Sequence, residues 1–583
     1  MISRLFEQGA RLLSAKSPQA ILGFLAGRSL EQGERNLWVM AADVRQAREL
    51  ARDLLELSGR RFIKKGHREI LWLPPLSSDP YADSGQDPEW MWAHISSAFA
   101  LANSVEPALV VTSPEFFASR TIDPGRLSED AIRIRVGDDL DRDGLAAELT
   151  RMGYARERLV VEPGTLALRG GVVDIFPPHL KQPVRLDLFG DSVEKIEIFN
   201  QETQRSNASL KEVFFPISSP YVYPESEQEE VEFRIRVLAE EGDVPSLKVA
   251  AYLEDLSSGG KPPGAMAYLP AFVGPLAPAA SLVLPDSRLL HLGKELLIEG
   301  FCKYRERVEA GYADARAHTR IAAKVEAFCS EDSMDSVLSL FEESLEVSHL
   351  ALVDRKEDSL AGRSGAEVVN LETEPVHFLQ ALLQKREDPE QPFLPVVQQL
   401  TKWVEEGLAV HILAGGASQL RRLKSLVSSY MPLGEKKKGW VYGAYAPGVY
   451  LWRGRVGHGF VARRLGVVFI DEADIFGIRS RLPEANSMPA EHLIRSFREL
   501  SSGDLVVHRD HGIGRFSGLK RMQVGGLDGD FLELHYRDDA KLFLPIMRIG
   551  VLQRYMSSGR EGYEPQLDRL GGTRWKSVRS KAK

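Results

Sequence analysis

Residues 503–545 most narrowly limit the folds that this chain can adopt. Short apolar runs, such as 505–507 and 531–534, alternate there with glycines and paired aspartates. Short strands separated by turn residues are typical of a small, strongly bent antiparallel barrel, and glycines suit its tight corners. His508 and His511 are three residues apart, a spacing that does not direct both rings to one face of a strand, so a metal site is not favoured. A small barrel with a free edge strand commonly binds a partner protein by strand addition.

Three blocks from this stretch, VVHRDHGIGRFSGL, VGGLDGDFLELHY and DDAKLFLP, follow one another in that order. They closely resemble the RNA-polymerase-interacting module of the bacterial transcription-repair coupling factors, which is shared with the CarD family. The resemblance implies an all-β SH3/Tudor-like barrel over residues 501–557 that binds the β subunit of RNA polymerase. The implied polymerase-contacting residues are Leu519, Lys520, Arg521, Met522, Gln523 and Val524. Met522 would be the apolar anchor; alternatively, it fills the barrel core, because methionine suits irregular gaps.

A second informative stretch covers residues 164–191 and reads GTLALRGGVVDIFPPHLKQPVRLDLFGD. Apolar runs at 172–176, 184–189 and 193–199 predict three strands of a hairpin-rich antiparallel sheet, because Pro-Pro and Gly-Asp turns separate them. The block GTLALRGGVVDIFPP resembles a small inserted domain that the transcription-repair coupling factors share with the repair protein UvrB. That resemblance implies an inserted β domain over residues 135–215 that binds the repair protein UvrA.

The same resemblance assigns the UvrA contact to Arg169, Arg185 and Phe189. We expect Arg169 and Arg185 to lie on neighbouring strands, and Phe189, four residues after Arg185, to share its strand face. Two arginines beside an aromatic side chain are typical of an interface hot spot. The alternative for each residue is structural: an arginine paired with Asp174 or Asp187, and a phenylalanine in the core.

Residues 1–134 alternate apolar strands, such as 37–41 and 108–111, with helical patterns. Buried strands alternating with helices predict a parallel sheet, the layout of a helicase-like ATP-binding lobe. Such a lobe needs the GxxxxGK[ST] phosphate loop. The sequence lacks this motif, and the stretch 23–27 has neither the lysine nor the following hydroxyl residue. The resemblance identifies residues 1–134 and 216–345 as two parts of one UvrB-like lobe with a degenerate nucleotide site.

Residues 346–480 predict a second α/β domain whose last strand covers 466–470. The sequence that follows, DEADIFG, looks like a Walker B motif, whose acidic residues orient Mg²⁺ and water in ATPases. A Walker B site needs a phosphate loop in the same domain, and this segment has none. We therefore interpret Asp471, Glu472 and Asp474 as a solvated acidic turn that caps a strand.

The net charge of −8 is unevenly distributed along the chain. Residues 501–583 hold 15 Lys and Arg against 10 Asp and Glu, and residues 569–583 hold six basic residues and no acidic one. Such a basic run is equally consistent with a solvated helix face and with a nucleic-acid contact. The resemblance implies a linker over 481–500 and the start of a basic connecting helix over 558–583.

The two cysteines, Cys302 and Cys329, have no CxxC partner. Neither a zinc knuckle nor a redox motif is therefore predicted, and a reducing compartment is indicated. The first residues lack the apolar region of a signal peptide, and no run approaches 18 apolar residues. We expect a bacterial cytoplasmic protein with no membrane partner.

These patterns predict a multidomain α/β chain: a degenerate UvrB-like helicase lobe with an inserted antiparallel β domain, a second α/β domain, and a small all-β barrel. The resemblance covers essentially the whole chain, but only about half of a complete family member. It implies a factor of transcription-coupled nucleotide-excision repair that tethers RNA polymerase and recruits UvrA. Complete family members are ATP-dependent DNA translocases whose motor domains hold ATP and Mg²⁺. We expect this chain, without those domains, to have no cofactor, metal or catalytic residue, to be inactive alone and to meet double-stranded DNA through the complete protein.

Two other interpretations stay open. An ATP-dependent helicase or nuclease subunit would use Asp471 and Glu472 as its acidic pair and would bind nucleotide. A UvrB-like damage-binding protein would need an aromatic-rich hairpin, but residues 72–92 contain only four aromatic residues among prolines and acids.

Overall fold

The computed structural model describes most of the chain in separate segments. The described residues are 10–14, 18–30, 35–58, 69–82, 88–103, 106–180, 182–201, 203–221, 223, 225–257, 264–348, 367–384, 391, 393–434, 441–442, 444–457, 459–477, 503–508, 512–524, 527–537, 540–545 and 552–554. The predicted linker at 481–500 and the predicted connecting helix at 558–583 lie outside these ranges. The chain forms two compact units, residues 1–479 and 480–583, and each is described by itself. Within the described segments, no helix is both long enough and apolar enough to cross a bilayer.

The first unit contains three main sheets. Its strands, in chain order, are β1 (Ala10–Ser14), β2 (Leu37–Met40), β3 (Glu69–Trp72), β4 (Ala108–Thr112), β5 (Arg120–Thr121), β6 (Ile132–Arg135), β7 (Ala155–Arg156), β8 (Thr165–Arg169), β9 (Val172–Phe176), β10 (Val184–Phe189), β11 (Ser192–Phe199), β12 (Ser206–Leu210), β13 (Glu212–Phe215), β14 (Ala277–Pro278), β15 (Arg288–Leu292), β16 (Glu343–Ser348), β17 (Glu367–Asn370), β18 (Thr373–Pro375), β19 (Ala409–Ala414), β20 (Gly448–Arg453), β21 (Phe460–Ala462) and β22 (Val467–Asp471).

Helices cover and connect these sheets. In chain order they are α1 (Pro18–Ser29), α2 (Val44–Ser58), α3 (Pro88–Asn103), α4 (Pro114–Ala118), α5 (Pro124–Glu129), α6 (Arg142–Arg151), α7 (Gln228–Glu241), α8 (Ser246–Ser257), α9 (Pro270–Val273), α10 (Lys294–Ala317), α11 (Met334–Ser339), α12 (Phe378–Gln384), α13 (Leu394–Glu405), α14 (Ala417–Ser428) and α15 (Glu472–Phe476).

The first sheet has seven parallel strands in the order β17-β1-β16-β15-β2-β4-β3. Every residue of β2 and β4 is buried, as expected for parallel strands covered by helices on both faces. The parallel sheet predicted for residues 1–134 is thus present, completed by strands from later in the chain. The stretch 23–27, which lacks a phosphate loop, lies within α1. Strand β17 joins this sheet although it falls in the segment predicted to be the second α/β domain.

The second sheet interrupts the first lobe and has the order β12-β11-β10-β9-β8-β7. Its strands pair antiparallel except for β7 with β8. One face, with Val173, Leu186 and Ile196, is buried in the same core as α6. The two-stranded ladder of β6 with β13 stands where the chain enters and leaves this sheet.

The third sheet has the order β18-β21-β22-β19-β20, in which β22, β19 and β20 are parallel. Helix α1 contributes to the core beside it, because the ring of Phe24 lies 5.5 Å from Phe469 and 6.0 Å from Phe460 between centroids. Gly27 permits the close approach, since a Cβ atom there would lie 2.6 Å from the Tyr442 ring. The first and third sheets therefore share one continuous hydrophobic core.

The second unit is an antiparallel sheet with the strands β23 (Leu505–His508), β24 (Gly512–Val524), β25 (Leu527–His535), β26 (Lys541–Pro545) and β27 (Leu552–Arg554). Their order is β26-β25-β24-β23-β27. Val506, Phe516, Leu532, Leu534 and Tyr536 form its small core. Among the described residues no ladder joins β26 to β27, so the all-β character is observed and the closed SH3/Tudor-like barrel stays a prediction.

Candidate partner-binding surfaces

The register of the second sheet places Arg169, Arg185 and Phe189 on one face. Ala167 lies opposite Asp174, and Asp174 lies opposite Arg185, so these three positions form one row across β8, β9 and β10. Because side chains alternate along a strand, Arg169 shares the face of Ala167, and Phe189 shares that of Arg185. The prediction that Arg169 and Arg185 lie on neighbouring strands is wrong, however. Strand β9 lies between β8 and β10, because the chain returns through the hairpin at 170–171.

Phe189 is highly accessible, with 81% of its surface exposed. It ends β10 next to a turn in which Gly190 has a φ of +63°, a conformation that favours glycine. The hairpin between β8 and β9 turns at the same end of the sheet, because β8 and β10 run in the same direction. An exposed apolar ring on the same face as Arg169 therefore stands at the hairpin end that also carries this arginine.

Arg169 is exposed at the end of β8, and its Nη2 donates to the backbone oxygen of Arg158 at 2.9 Å. The adjacent turn is held from the side by Arg142, whose Nη1 donates to the Gly170 oxygen at 2.6 Å. Sequence reasoning did not find Arg142, because it begins α6 and nothing in its local pattern points to the hairpin. Gly170, with a φ of +57°, makes this tight turn possible.

Arg185 is engaged within the sheet rather than free on its surface. Its Nε donates to Asp174 Oδ1 at 2.7 Å and its Nη2 to Oδ2 at 2.8 Å. The guanidinium also lies 4.5 Å from the centroid of the Phe199 ring. Asp174 is only 1% exposed, so this fork stabilises a buried carboxylate. The structural alternative considered for Arg185 is therefore observed, alongside its position on the predicted contact face.

The predicted polymerase contact lies in the second half of β24. Residues 512–515 pair with β23, and residues 515–524 pair with β25 on the other side. Strand β24 thus extends beyond β23, and within the described part of the chain no strand pairs with the second side of residues 518–524. Met522 lies opposite Gly529 in the ladder. The side chains of Leu519, Arg521, Met522, Gln523 and Val524 lie outside the described parts of the structure.

Several charged side chains lie on the face of this sheet opposite its small core. Lys520 is exposed, and its ammonium lies 5.4 Å from the centroid of the Phe543 ring. Glu533 accepts from Lys541 Nζ and contacts His535 Nε2, each at 2.8 Å, and the Lys541 contact lowers the pKa of Glu533 to about 2. The Glu533 ion pair lies on β25 and β26, on the side of β24 away from the predicted contact edge, whereas Lys520 lies on β24 itself.

The Walker B-like residues hold the backbone together instead of forming an open site. Asp471 caps α15 by accepting from Ala473 N at 3.0 Å, and it also accepts from Val456 N at 3.2 Å. Asp474 accepts from Asp471 N at 2.9 Å and from Gly459 N at 3.0 Å. The prediction of a capped strand end agrees with this geometry, but the predicted solvation is wrong. Both acids are half-buried, and burial raises the pKa of Asp471 to about 6.

Glu472 behaves similarly at the end of the same strand. It is half-buried, its Oε2 has no hydrogen-bond partner among the described residues, and burial raises its pKa. Over the segments that the structure describes, no three His, Cys, Asp or Glu side chains are grouped to hold a metal ion. Of the acidic pair in the helicase interpretation, Asp471 is thus engaged in helix capping and Glu472 is half-buried.

Comparison with known proteins gives two family matches within the chain. Residues 132–221 match the UvrB interaction domain, and residues 500–556 match the CarD-like/TRCF RID domain. The first match includes the whole second sheet from β7 to β12, and the second includes β23 to β27. The chain therefore combines a UvrB-type interaction domain with a CarD-like domain.

The whole chain is similar to proteins named transcription-repair-coupling factor. The one from Myxococcus xanthus is 29% identical over 567 residues, which cover 93% of this chain and 45% of that protein. Those from Bacillus subtilis (strain 168) and Staphylococcus haemolyticus (strain JCSC1435) are 26% and 24% identical, over 82% and 98% of this chain and 40% and 47% of their own lengths. The resemblance predicted from the sequence is confirmed, and the chain spans less than half the length of these relatives.

Proposed function

We propose that this chain is a tether in transcription-coupled nucleotide-excision repair. It binds UvrA through the second sheet of the first unit and the β subunit of RNA polymerase through the second unit. The observation that carries the proposal is the presence of both a UvrB interaction domain and a CarD-like/TRCF RID domain on one chain. An exposed phenylalanine on the face shared with Arg169 and Arg185 supports the UvrA half.

The projecting part of β24 supports the polymerase half. A strand of the polymerase β subunit would add to the side of residues 518–524 that no described strand occupies, so that backbone hydrogen bonds supply affinity. Met522 would act as the apolar anchor, and Lys520 and Arg521 would pair with acidic residues of the partner. The sheet would close into the SH3/Tudor-like barrel implied by the resemblance.

Tethering explains why both surfaces belong on one chain. When one surface is bound, the other is confined near the same lesion, which raises its effective concentration without any new contact. In complete family members, ATP-driven movement on double-stranded DNA would displace the stalled polymerase. We expect the present chain to bind both partners in the cytoplasm without ATP or Mg²⁺ and without hydrolysing ATP.

The rival function, an ATP-dependent helicase or nuclease subunit, would need Asp471 and Glu472 to face Mg²⁺ and nucleotide. Asp471 instead accepts two backbone N–H groups, and the stretch tested as a phosphate loop is part of α1. These contacts favour the tether over the rival.

The proposal is tested by capturing the purified chain on two baits, UvrA and the N-terminal lobes of the polymerase β subunit. Phe189→Ser should abolish capture on UvrA and leave capture on polymerase unchanged. Met522→Arg should have the opposite effect. Arg185→Ala is a poor probe, because it would leave the buried Asp174 without its partner.

Two matched variants control for nonspecific effects. Phe233→Ser removes a phenylalanine that is 65% exposed on α7, and Leu247→Arg places a charge where an apolar residue is 82% exposed on α8. Both should bind both baits normally. Loss of binding in the controls as well, or unchanged binding by Phe189→Ser and Met522→Arg, would count against the assigned surfaces. Failure of the unmodified chain on both baits would overturn the tether itself.

A further inference from the structure

A cavity of about 420 Å³ opens at the carboxyl ends of three strands of the parallel sheet. Its lining includes Asp43, Pro75 and Glu115, each three residues beyond the end of β2, β3 or β4. In open α/β sheets, ligands bind in the crevice outside the carboxyl ends of the strands. The volume falls within the range of small-molecule sites, roughly 300–1,000 Å³. This place in the fold is distinct from both partner-binding surfaces.

Three arginines from two elements line the cavity: Arg45 and Arg48 from α2, and Arg307 from α10. Arg45 and Arg307 are exposed. Arg307 Nη1 donates to the Ser78 oxygen at 3.2 Å, which anchors the side chain and leaves further donors of its guanidinium for a ligand. Guanidinium groups bind phosphate oxygens with bidentate, charge-assisted hydrogen bonds. The cavity therefore has the donors for a phosphate group.

Two acidic residues, Asp43 and Glu115, line the cavity together with the arginines. Asp43 Oδ1 accepts from Gln46 N at 2.8 Å, so its carboxylate caps the first turn of α2. Arg48 also pairs with Glu89, with Nη2 and Oε2 2.6 Å apart, and lies 5.4 Å from the centroid of the Trp72 ring. The lining thus holds three arginines against two carboxyl groups, a formal charge of +1 that favours an anionic ligand.

An aromatic wall stands beside the arginines. Trp90 lines the cavity and is held in place, because its Nε1 donates to the Pro75 oxygen at 2.5 Å and its ring meets Trp72 edge-on at 6.0 Å between centroids. Tyr304, which is 1% exposed, adds a second aromatic surface. Stacking on a fixed indole stabilises a nucleobase and tolerates any base.

Glu115 also lines the same cavity. It is 7% exposed, and its Oε2 has no hydrogen-bond partner among the described residues. Burial raises its pKa above the ordinary value. A carboxyl group that lines a cavity can accept a hydrogen bond from a ligand that enters it. The amino or imino edge of a nucleobase offers the matching groups.

We propose that this cavity binds one nucleotide unit, with its phosphate at Arg45 and Arg307, its base beside Trp90 and the base edge at Glu115. The unit is either a free mononucleotide or one nucleotide of a single-stranded nucleic acid, since both present the same chemistry. This site is separate from Asp471 and Glu472, so it does not revive the ATP-hydrolysing interpretation.

The test is titration of the whole chain with AMP and with a single-stranded pentadeoxyadenylate, followed by calorimetry and ligand-observed NMR. We expect at least one of the two to bind saturably with a dissociation constant below about 1 mM. Arg45→Glu and Arg307→Glu should each weaken that binding at least about tenfold. Glu115→Gln should preserve binding better than Glu115→Leu, because the amide can still hydrogen-bond.

Arg236→Glu makes the same charge change on α7, where the arginine side chain is 59% exposed and outside the cavity, and it should leave binding unchanged. Asp471→Asn should also leave it unchanged. Because Arg45 and Arg307 are exposed, their variants should keep the unmodified melting temperature, which separates loss of the site from loss of folding. Binding of AMP identifies a free mononucleotide, and binding of the oligonucleotide alone identifies a strand. Absence of saturable binding by both, or equal weakening by Arg236→Glu and Arg45→Glu, would overturn the proposal.

Discussion

Arg185 and the buried Asp174 form a two-pronged ion pair across β10 and β9, with N–O distances of 2.7 and 2.8 Å. The side chain of Asp174 is 2% exposed and that of Arg185 is 21% exposed. The arginine therefore stabilises the sheet on which the UvrA contact is proposed, and its substitution affects both folding and binding. Experiments on this surface therefore have to separate the effect of an Arg185 substitution on folding from its effect on UvrA binding.

Arg185→Ala should destabilise the second sheet by about 3 kcal/mol, because removing one partner of a buried pair leaves an uncompensated charge. Hydrogen exchange of peptides that cover residues 165–199 checks this, since their protection should fall. Arg169→Ala is the matched control, because that arginine is exposed and should change stability by no more than about 0.5 kcal/mol. Equal protection in the two variants would mean that the Arg185 pair does not hold the sheet.

Asp474→Ala should destabilise the third sheet without affecting any nucleotide turnover. The substitution leaves the N–H groups of Asp471 and Gly459 without their acceptor, at a cost of about 1–3 kcal/mol for each buried group. Urea unfolding measures the loss, with the exposed Glu309→Ala on α10 as control. ATP hydrolysis by the unmodified chain that disappears in Asp474→Ala would instead support the helicase interpretation.

Asp53 on α2 makes stability depend on pH. Burial raises its pKa to about 7, while nearby Arg52 opposes this rise and Glu56, Asp471 and Glu49 add to it. Between about pH 4 and pH 7 the folded state keeps a proton that the unfolded state has released, so the free energy of unfolding falls as pH rises. The loss reaches at most about 4 kcal/mol, because each pH unit between the unfolded and folded pKa values contributes about 1.4 kcal/mol.

Asp53→Asn should remove this part of the pH dependence, because an amide does not ionise. The variant should gain stability relative to the unmodified chain as pH rises from 5 to 8, measured as the change in urea midpoint at each pH. Buried histidines such as His411 affect both proteins equally, so their contribution cancels in the difference between the two urea midpoints. A constant difference across this pH range would show that Asp53 does not titrate between folded and unfolded states.

Substituting Gly27 should test the packing of α1 against the third sheet. Alanine is the better helix former by about 1 kcal/mol, yet a Cβ atom at this position would lie 2.6 Å from the Tyr442 ring. We expect Gly27→Ala to lower the thermal midpoint. In the Tyr442→Leu background the same substitution should lower the midpoint less, because the ring that the Cβ atom would meet is gone. A stabilising effect of the single variant would contradict the observed contact.

Local patterns in the sequence were sufficient to locate many of the strands. Apolar runs bounded by Pro-Pro and Gly-Asp turns gave the positions of β9, β10 and β11, because turn residues and strand periodicity act over a few neighbouring residues. The apolar run 466–470 placed Asp471 at a strand end, and the missing phosphate loop indicated a structural rather than a catalytic role. The half-burial of Asp471 could not be predicted, because the Val456 and Gly459 amides that pack against this turn come from another part of the chain.

Contacts between distant segments could not be read from the sequence. Helix α1 is apolar on the faces that meet Phe460 and Phe469, but the same pattern would suit a helix packed on one sheet only. The strand β17 joins the first sheet through β1, a parallel pairing that has no local signal. The cavity beside Trp90 likewise depends on α10, which supplies Arg307 from more than two hundred residues away.

A tether must bind both of its partners at once. This is measured by capturing the polymerase β lobes with the chain already immobilised on UvrA, in comparison with UvrA alone and with the Met522→Arg chain. We predict a complex of all three components that Met522→Arg loses while UvrA remains bound to the chain. Mutually exclusive binding of UvrA and polymerase, or capture that Met522→Arg does not affect, would contradict the proposed tether.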